Sequence, residues 1–250
     1  MPTATLYKLL RSDGNACNGG LGQWFLPTWV PEAGTSEEDE NEGHWEPGEW
    51  MPGILDPVPC ERGYHLVPAA HLLDWAGTDL YVAEARGTIV DGDNKIACEQ
   101  ARLMRPIPAW NEVTLRLLAC DYAGHVAHLN TDPRVMACIE TARRYAHGEA
   151  TDAELAAARV AAWAAKAAAG DAAWDAAGDA ARSTARAAGD AARSATWAAG
   201  DATGDAAEAA AWTAGGARDA ARYAVGGAWD AERDWQVARL CEVLGIAKDD

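Results

Sequence analysis

The sequence predicts an α+β protein in which a small mixed or antiparallel N-terminal sheet unit is followed by an alanine-rich antiparallel helical bundle or array. Three observations support this prediction. Alternating apolar residues and turn signals are concentrated in residues 1–108. A helical spacing of apolar residues begins at Trp110. An eleven-residue repeat of Ala, Gly and Asp then starts at about residue 156. We therefore expect an α+β domain over 1–108 and an all-helical domain over 109–250.

The chain of 250 residues is strongly acidic, with a formal net charge of −17. The acid excess is densest in residues 1–70, which carry 11 acidic and 3 basic side chains. Such a surface repels phosphates, so we expect no direct binding of nucleic acid. The six cysteines lack the spacing of a zinc site, and no apolar run reaches the roughly 18 residues of a spanning helix. We expect a cytoplasmic protein with reduced thiols, no metal, no cofactor and no membrane contact.

The first 62 residues predict extended structure and then a long loop. The segment TLYKLL is typical of a strand, and Asp13-Gly14 supplies the chemistry of a tight turn after it. Residues 31–62 are rich in Glu, Pro and Gly, which predicts an acidic loop. This loop is either a solvated connection or a charged tether that contacts a partner.

A small α+β unit is expected to follow this loop. Tyr64–Pro68 predicts a strand and Ala69–Ala76 a short helix. Leu80–Arg86 alternates as a half-buried strand does, with Tyr81, Ala83 and Ala85 on one face. Two more strands are predicted at Gly87–Val90 and Lys95–Met104, joined by the turn residues Asp91-Gly92-Asp93-Asn94.

Helical signals dominate after Trp110. The first helix is expected to bury one face, which consists of Val113, Leu117, Cys120, Gly124 and Ala127. The second is expected to begin at a Thr131 or Asp132 cap and to end at Gly148. A third begins at Thr151, because Thr151 and Glu154 have the spacing of a capping box.

The alanine-rich region repeats every eleven residues, as the glycine series 178, 189, 200 and 204, 215, 226 show. Eleven residues complete three turns at about 3.67 residues per turn, so the glycines fall on one face. Glycine also suits helix ends, and aspartate suits the next N-cap. We expect breaks near Gly170, Gly200–Gly204 and Gly215–Gly216, which favours an antiparallel bundle over one very long helix.

Tryptophans recur along this array and have two interpretations. Large rings can supply the apolar area that alanine lacks, in which case they form the core. Alternatively they form a recognition face, because Trp is enriched in binding hot spots. The candidate partner-binding residues are Trp163, Trp174, Trp197, Trp212 and Trp229.

Two stretches of the predicted helical sequence carry a recognisable pattern, RLLACDYAGHV at 116–126 and the segment 132–163. The positions that form the pattern are Cys120, Asp121, Pro133, Arg134, Ala142, Arg143, Tyr145, Gly148 and Glu149. At these positions the sequence resembles a family of toxin immunity proteins, the immunity-5-like family, although the link after Val126 is shorter than in that family. This resemblance implies a protein that binds and neutralises a toxin.

The N-terminal part contains four segments with a second recognisable pattern: GYHLV at 63–67, LLDW at 72–75, LYVAEARG at 80–87 and DNKIACEQARLMR at 93–105. In these segments it resembles an uncharacterised domain common in actinobacterial and phage proteins. Together the two resemblances imply a non-catalytic protein-binding module, immunity-like or a phage accessory protein. The expected partner is a protein, either a toxin or a host factor, and a homo-oligomer is left open.

An enzyme with its active site in the N-terminal unit is the first alternative. His65 and Glu84 lie on neighbouring predicted strands and can form a general acid/base pair. These two residues are weak catalytic candidates, since single His and Glu residues on strands are usually surface groups. The chain has none of the phosphate-loop, serine-hydrolase or zinc-protease motifs.

A protein that binds ice or another surface is the second alternative, because alanine-rich helices with eleven-residue repeats occur in antifreeze proteins. Those helices present threonine at one phase of the repeat. Here Thr184, Thr196, Thr203 and Thr213 are separated by 12, 7 and 10 residues, so they form no flat row.

Overall fold

The structure is a computed structural model that describes residues 5–17, 22–32, 42–75, 77–127, 132–173 and 226–247. It contains both antiparallel strands and helices, which confirms the α+β class. The chain divides into two units. The N-terminal unit comprises Met1–Trp110 with Ile246–Asp250, and the helical unit comprises Asn111–Gly245. The larger part of the alanine-rich array lies outside the described residues, so its arrangement as a bundle stays a prediction.

Six strands and one 3-10 helix form the N-terminal unit. They are β1 (Leu6–Leu10), β2 (Thr28–Pro31), β3 (Gly43–Glu46), β4 (Tyr64–Pro68), the 3-10 helix (Ala69–Asp74), β5 (Asp79–Asp91) and β6 (Ile96–Pro106). Four strands form a closed antiparallel sheet in the order β1-β4-β6-β5, in which β5 pairs back with β1. Strands β2 and β3 form a separate antiparallel pair. Leucines 10, 66 and 103, each without measurable exposure, lie in the core that this sheet encloses.

The sheet follows the predicted alternation, with one difference in β5. The strand at Tyr64–Pro68 and the turn at 91–94 are confirmed, the turn by a bond from the Gly92 amide to the Lys95 carbonyl (2.9 Å). The two strands expected at Leu80–Arg86 and Gly87–Val90 are a single strand whose register shifts between Arg86 and Ile89. Gly87 allows this irregularity, because its φ is +78° and an added Cβ would lie 2.6 Å from a Glu99 oxygen.

The predicted loop over 31–62 is only partly a loop. Strand β3 lies within it, and residues 33–41 lie outside the described residues. Three amides of the following segment, those of Gly48, Met51 and Ile54, donate to carbonyls of β6 at 2.9 to 3.0 Å. Proline and glycine mask this pairing in the sequence, since both residues disfavour strands. The segment therefore pairs with the part of β6 that β4 does not reach, and it does not run free in solvent.

The described helices of the second unit are α1 (Glu112–Val126), α2 (Pro133–Ala146), α3 (Asp152–Ala173) and α4 (Gly226–Leu244). The predicted caps are confirmed. The Asp132 carboxylate accepts from the Arg134 amide (2.9 Å), and Gly148 ends α2 with a φ of +73°. The capping box is complete, because the Glu154 amide donates to the Thr151 hydroxyl (3.2 Å) and the Thr151 amide donates to the Glu154 carboxylate (2.8 Å).

Two expectations about the helices are wrong. The expected break near Gly170 is absent, since α3 continues through it to Ala173. The expected buried face of α1 is also incorrect at Val113, which is 44% exposed. The side chains of α1 that are buried include Leu115, Leu118 and Tyr122. Because α1 packs against both α2 and α4, its buried surface is wider than the single stripe that a 3.6-residue period predicts.

Candidate functional site

An open cavity of about 930 Å³ lies beside the closed sheet of the N-terminal unit. Its lining comes from β1, residues 16–17 and 22–25, the segment 51–65, β4, Trp75 and Lys95. Six lining side chains carry its chemistry: Lys8, Cys17, Trp24, His65, Trp75 and Lys95. The volume is within the range of small-molecule sites, which is roughly 300 to 1,000 Å³.

Lys8 places a poorly solvated ammonium in the wall of the cavity. It shares a face of β1 with Leu6 and Leu10, so an ammonium alternates with leucines that pack into the core. Its Nζ donates to the His65 carbonyl at 3.2 Å and lies 4.9 Å from the centre of the Trp24 ring. Burial lowers the pKa of Lys8 to about 8. Within the described residues no carboxylate forms an ion pair with this ammonium.

A second ammonium repeats the arrangement across the cavity. Lys95 follows the β5–β6 turn, and its Nζ lies 4.2 Å from the centre of the Trp75 ring. The Trp75 indole donates to the Asn94 carbonyl at 3.3 Å, which fixes the ring beside the turn. Each lysine therefore rests on one indole face, an arrangement that a cation–π attraction stabilises.

The lining is basic although the chain is acidic. Lys8, Arg62 and Lys95 line the cavity, and among the described residues Glu61 is the lining residue with a carboxylate. The walls also include apolar and aromatic side chains, which weaken the screening of charge by water. The cavity therefore offers a positive potential in a protein with a net charge of −17.

His65 secures the loop at the rim of the cavity. Its Nε2 accepts from the Cys60 amide at 2.9 Å, and a backbone group of Val58 bonds the ring as well. Burial lowers the pKa of His65, and the charges of Lys95 and Lys8 lower it further. Cys60 itself has a φ of +70°, which is unusual for a residue with a Cβ. The imidazole is thus engaged in holding a strained loop.

Cys17 is a thiol at the cavity wall without the environment of a nucleophile. Its Sγ donates to the Leu9 carbonyl at 3.2 Å. Burial raises the pKa of Cys17, which the charge of Lys8 offsets in part. A raised pKa lowers the fraction of thiolate, the reactive form of cysteine. All six cysteines lie in the described part of the chain, and none of them forms a disulfide bond with another.

The structure does not bring the two catalytic candidates together. His65 pairs with Ala97 on one side of β6, whereas Glu84 pairs with Arg102 on the other side. Five residues separate the two β6 positions, or about 16 Å along the strand. The exposed Glu84 carboxylate instead forms an ion pair with Arg102, at 2.6 Å. His65 and Glu84 therefore form no acid/base pair.

The predicted tryptophan face falls almost entirely outside the described side chains. Trp174, Trp197 and Trp212 lie outside the described residues. Trp163 lies in α3 and Trp229 in α4, and the structure describes only their helical backbone. The partner-binding role of this series stays a prediction.

Sequence reasoning missed the residues that form the cavity: Lys8, Cys17, Trp24, Trp75 and Lys95. One signal for Lys8 was present, since it is the single charged residue inside the apolar strand LYKLL. The remaining residues come from separate segments that only the closed sheet brings together. No group of three or more His, Cys, Asp or Glu in the described ranges is arranged to hold a metal ion.

Comparisons with known proteins found nothing similar to this chain. No family model matches it, and no match was found among curated proteins or solved structures. The resemblance to immunity proteins therefore stays a prediction. None of the helices in the described ranges has both the length and the apolar character needed to cross a membrane.

Proposed function

We propose that this protein is a non-catalytic binding module whose N-terminal cavity binds a small anionic molecule. The observation that supports this proposal is the Lys8 ammonium, which lies at a core-facing strand position against Trp24 and has a backbone carbonyl as its hydrogen-bond partner. An ammonium has three donors, so one carbonyl leaves hydrogen-bonding capacity for a ligand. A bound carboxylate or phosphate supplies the missing acceptor and the missing charge.

Energetics favour a binding role for Lys8 over a structural one. Removing an amine from water without a counter-charge costs free energy, which the lowered pKa of Lys8 reflects. A leucine at this position would extend the apolar face formed by Leu6 and Leu10 at no such cost. A lysine at this position therefore contributes to something other than folding stability, and an anionic ligand offsets the desolvation penalty.

Catalysis is less well supported by the same geometry. The imidazole of His65 bonds the backbone of the rim loop, and Cys17 is a thiol whose pKa is raised. Nucleophilic catalysis by a thiol or an imidazole needs a lowered pKa or an adjacent base, and neither Cys17 nor His65 provides that here. The pKa of Lys8 is lowered, but at about 8 it leaves most of the amine protonated at pH 7, which is the form that binds an anion. The lining residues recognise charge and aromatic surface, which are the requirements of binding.

The protein partner predicted from the sequence is a separate expectation. It concerns the alanine-rich array and its tryptophans, whereas the cavity belongs to the N-terminal unit. A toxin or host factor as partner is compatible with a small anionic ligand in the cavity, since the two predicted surfaces consist of different residues.

Calorimetric titration of the full chain with small carboxylates and phosphates at pH 7 tests this proposal. Lys8→Met should weaken anion binding at least about tenfold, because a charge-assisted hydrogen bond contributes roughly 1.5 to 3 kcal/mol. Arg105→Met removes a basic side chain at an exposed position of β6 that does not line the cavity, and this control should leave the affinity unchanged. Equal affinities for the wild type and the Lys8→Met variant, or no binding of any anion, would contradict the proposal.

A further inference from the structure

Each of the two ammonium groups in the cavity wall lies close to the centre of a tryptophan ring. One ammonium lies 4.9 Å from the centre of the Trp24 ring, and the other lies 4.2 Å from the centre of the Trp75 ring. Any anion that contacts either lysine is thereby placed beside an indole. The apolar body of the ligand must lie next to its charged group and not at the end of a long chain.

The indoles are held in fixed positions. Trp24 is 5% exposed, and its ring meets the Tyr64 ring edge to face at a centroid distance of 5.5 Å. The Tyr64 hydroxyl donates to the Pro52 carbonyl at 2.8 Å, which fixes that ring in turn. The Trp75 indole is fixed by its bond to the Asn94 carbonyl. Rigid rings lose little entropy on binding and favour flat ligands that stack or pack edge to face.

From this arrangement we infer that the ligand is an aromatic anion, in which a carboxylate or phosphate is attached directly to a planar ring system. This inference rests on the proposed function and names its ligand class. The anion contacts Lys8 or Lys95, and the ring packs against the Trp75 indole, because Trp24 is 5% exposed and has little surface left for a ligand. A cavity of about 930 Å³ accommodates a system of two or more fused rings.

A pair of carboxylates with the same carbon skeleton, one aromatic and one saturated, tests this inference on the full chain. 2-Naphthoate and decahydro-2-naphthoate carry the same charge on a flat and on a saturated skeleton. We expect 2-naphthoate to bind about tenfold more tightly at pH 7, because aromatic packing adds to area burial. Titration with 2-naphthyl phosphate identifies the source of charge, since tighter binding of either aromatic probe favours its own anionic group.

Substitution of one indole assigns the preference to the cavity. Trp75→Leu should reduce the affinity ratio of the two carboxylates to below about threefold, mainly by weakening the aromatic probe. Trp50→Leu is the control, because Trp50 stacks with Arg86 and Arg102 and does not line the cavity. The control should keep the wild-type ratio. Circular dichroism verifies that both variants fold. The comparison of the two carboxylates on the wild-type chain needs no variant and remains valid if either variant fails to fold.

The outcomes separate this inference from the proposed function. Equal affinities of the flat and saturated carboxylates, both lost in Lys8→Met, overturn the aromatic preference and leave the anion site standing. A preference that survives in Trp75→Leu but is lost in Trp50→Leu also overturns the inference. If neither carboxylate nor the phosphate binds to the wild type, the proposed function fails and the inference fails with it.

Discussion

The two units treat their poorly solvated charges in opposite ways. In the helical unit, Asp121 on α1 binds Arg143 of α2 at 2.6 Å and Arg239 of α4 at 2.7 Å. Glu232, which is 5% exposed, accepts from Gln236 at 2.9 Å and pairs with His125 at 2.8 Å. These charges join helices that are distant in sequence. Each of these carboxylates has its charge and hydrogen bonds satisfied within the helical unit, so its role in holding the helices together accounts for its presence.

The N-terminal unit contains the contrasting case. Lys8 has a carbonyl and an indole face as its partners in the described structure, and its pKa falls to about 8. A buried ion pair loses stability when one partner is removed, whereas removal of an uncompensated charge restores stability. The sign of a single substitution therefore distinguishes charges that serve the fold from a charge that serves binding.

The largest effect is expected from Asp121→Ala in the helical unit. This change leaves Arg143 and Arg239 without their shared carboxylate, so the free energy of unfolding should fall by about 3 kcal/mol. That value is at the low end for buried pairs, because both arginines are 34% exposed. Urea denaturation measures the loss, and hydrogen exchange should locate it in α1 and α4.

The matched control for this change is Glu112→Ala on the same helix. Glu112 pairs with Arg116 one turn away, and 46% of its side chain is exposed. Although the Arg116 side chain is 14% exposed, the Glu112 carboxylate is solvated, so this pair should contribute about 1 kcal/mol or less. If the two substitutions lower the free energy of unfolding equally, Asp121 does not act as a link between helices. The helical unit then offers no contrast to Lys8.

The second effect has the opposite sign. Lys8→Met should raise the free energy of unfolding by about 2 kcal/mol at pH 7, because it removes the desolvated amine. The full linkage value is roughly 3 kcal/mol, and the exposed part of the side chain reduces it. Arg105→Met, at an exposed position of β6, should change stability little. A clear loss of stability in Lys8→Met would show that Lys8 serves the fold as Asp121 does.

The gain from Lys8→Met should disappear as the pH rises. The pKa of Lys8 is about 8 in the folded chain and 10.5 in its ordinary state, so the unfolded chain binds more protons between these values. The penalty of the wild type is complete below pH 8 and fades towards pH 10.5. The stability difference between the variant and the wild type, measured by urea denaturation, should shrink over this window. A difference that is constant with pH would exclude titration of Lys8 as its cause.

Local signals predicted much of this structure. The alternation at Tyr64–Pro68, the turn at 91–94 and the Thr151 capping box each depend on residues close together in sequence, and each is confirmed. Local propensity also explains the failures. Gly170 disfavours a helix, yet α3 passes through it, and proline and glycine hid the segment that pairs with β6.

The candidate site could not be predicted from these local signals, because it depends on strand pairings between distant segments. Lys8 and Lys95 line the same cavity only because β1, β4, β6 and β5 close into one sheet. Closure depends on pairings such as Lys8 with Tyr81, which lie far apart in sequence. His65 and Glu84 were selected for their chemical types, but their register along β6 separates them. Residue type indicates what a side chain can do, and only the topology determines what it meets.

The smallest expected effect concerns the backbone at the cavity rim and again separates the units. Among the described residues, the non-glycine positions with positive φ are Asp56 and Cys60, both in the N-terminal unit. In the helical unit positive φ occurs in the described ranges at Gly148 and Gly245, where helices end. Strain of this kind concentrates near functional sites, and here it accompanies the cavity.

Cys60→Gly should therefore change the free energy of unfolding by less than about 1 kcal/mol. Release of the left-handed strain, roughly 1 to 2 kcal/mol, is offset by the greater freedom of glycine in the unfolded chain. Cys60→Val should lower the free energy of unfolding more than the glycine variant does, because a β-branched side chain tolerates this conformation poorly.

The bond from the residue 60 amide to His65 survives in both variants, so naphthoate affinity should stay within about twofold in Cys60→Gly. Urea denaturation and calorimetry measure the two quantities. If the valine variant is as stable as the glycine variant, the rim is not strained, and the contrast between the two units then rests on Lys8 and Asp121 alone.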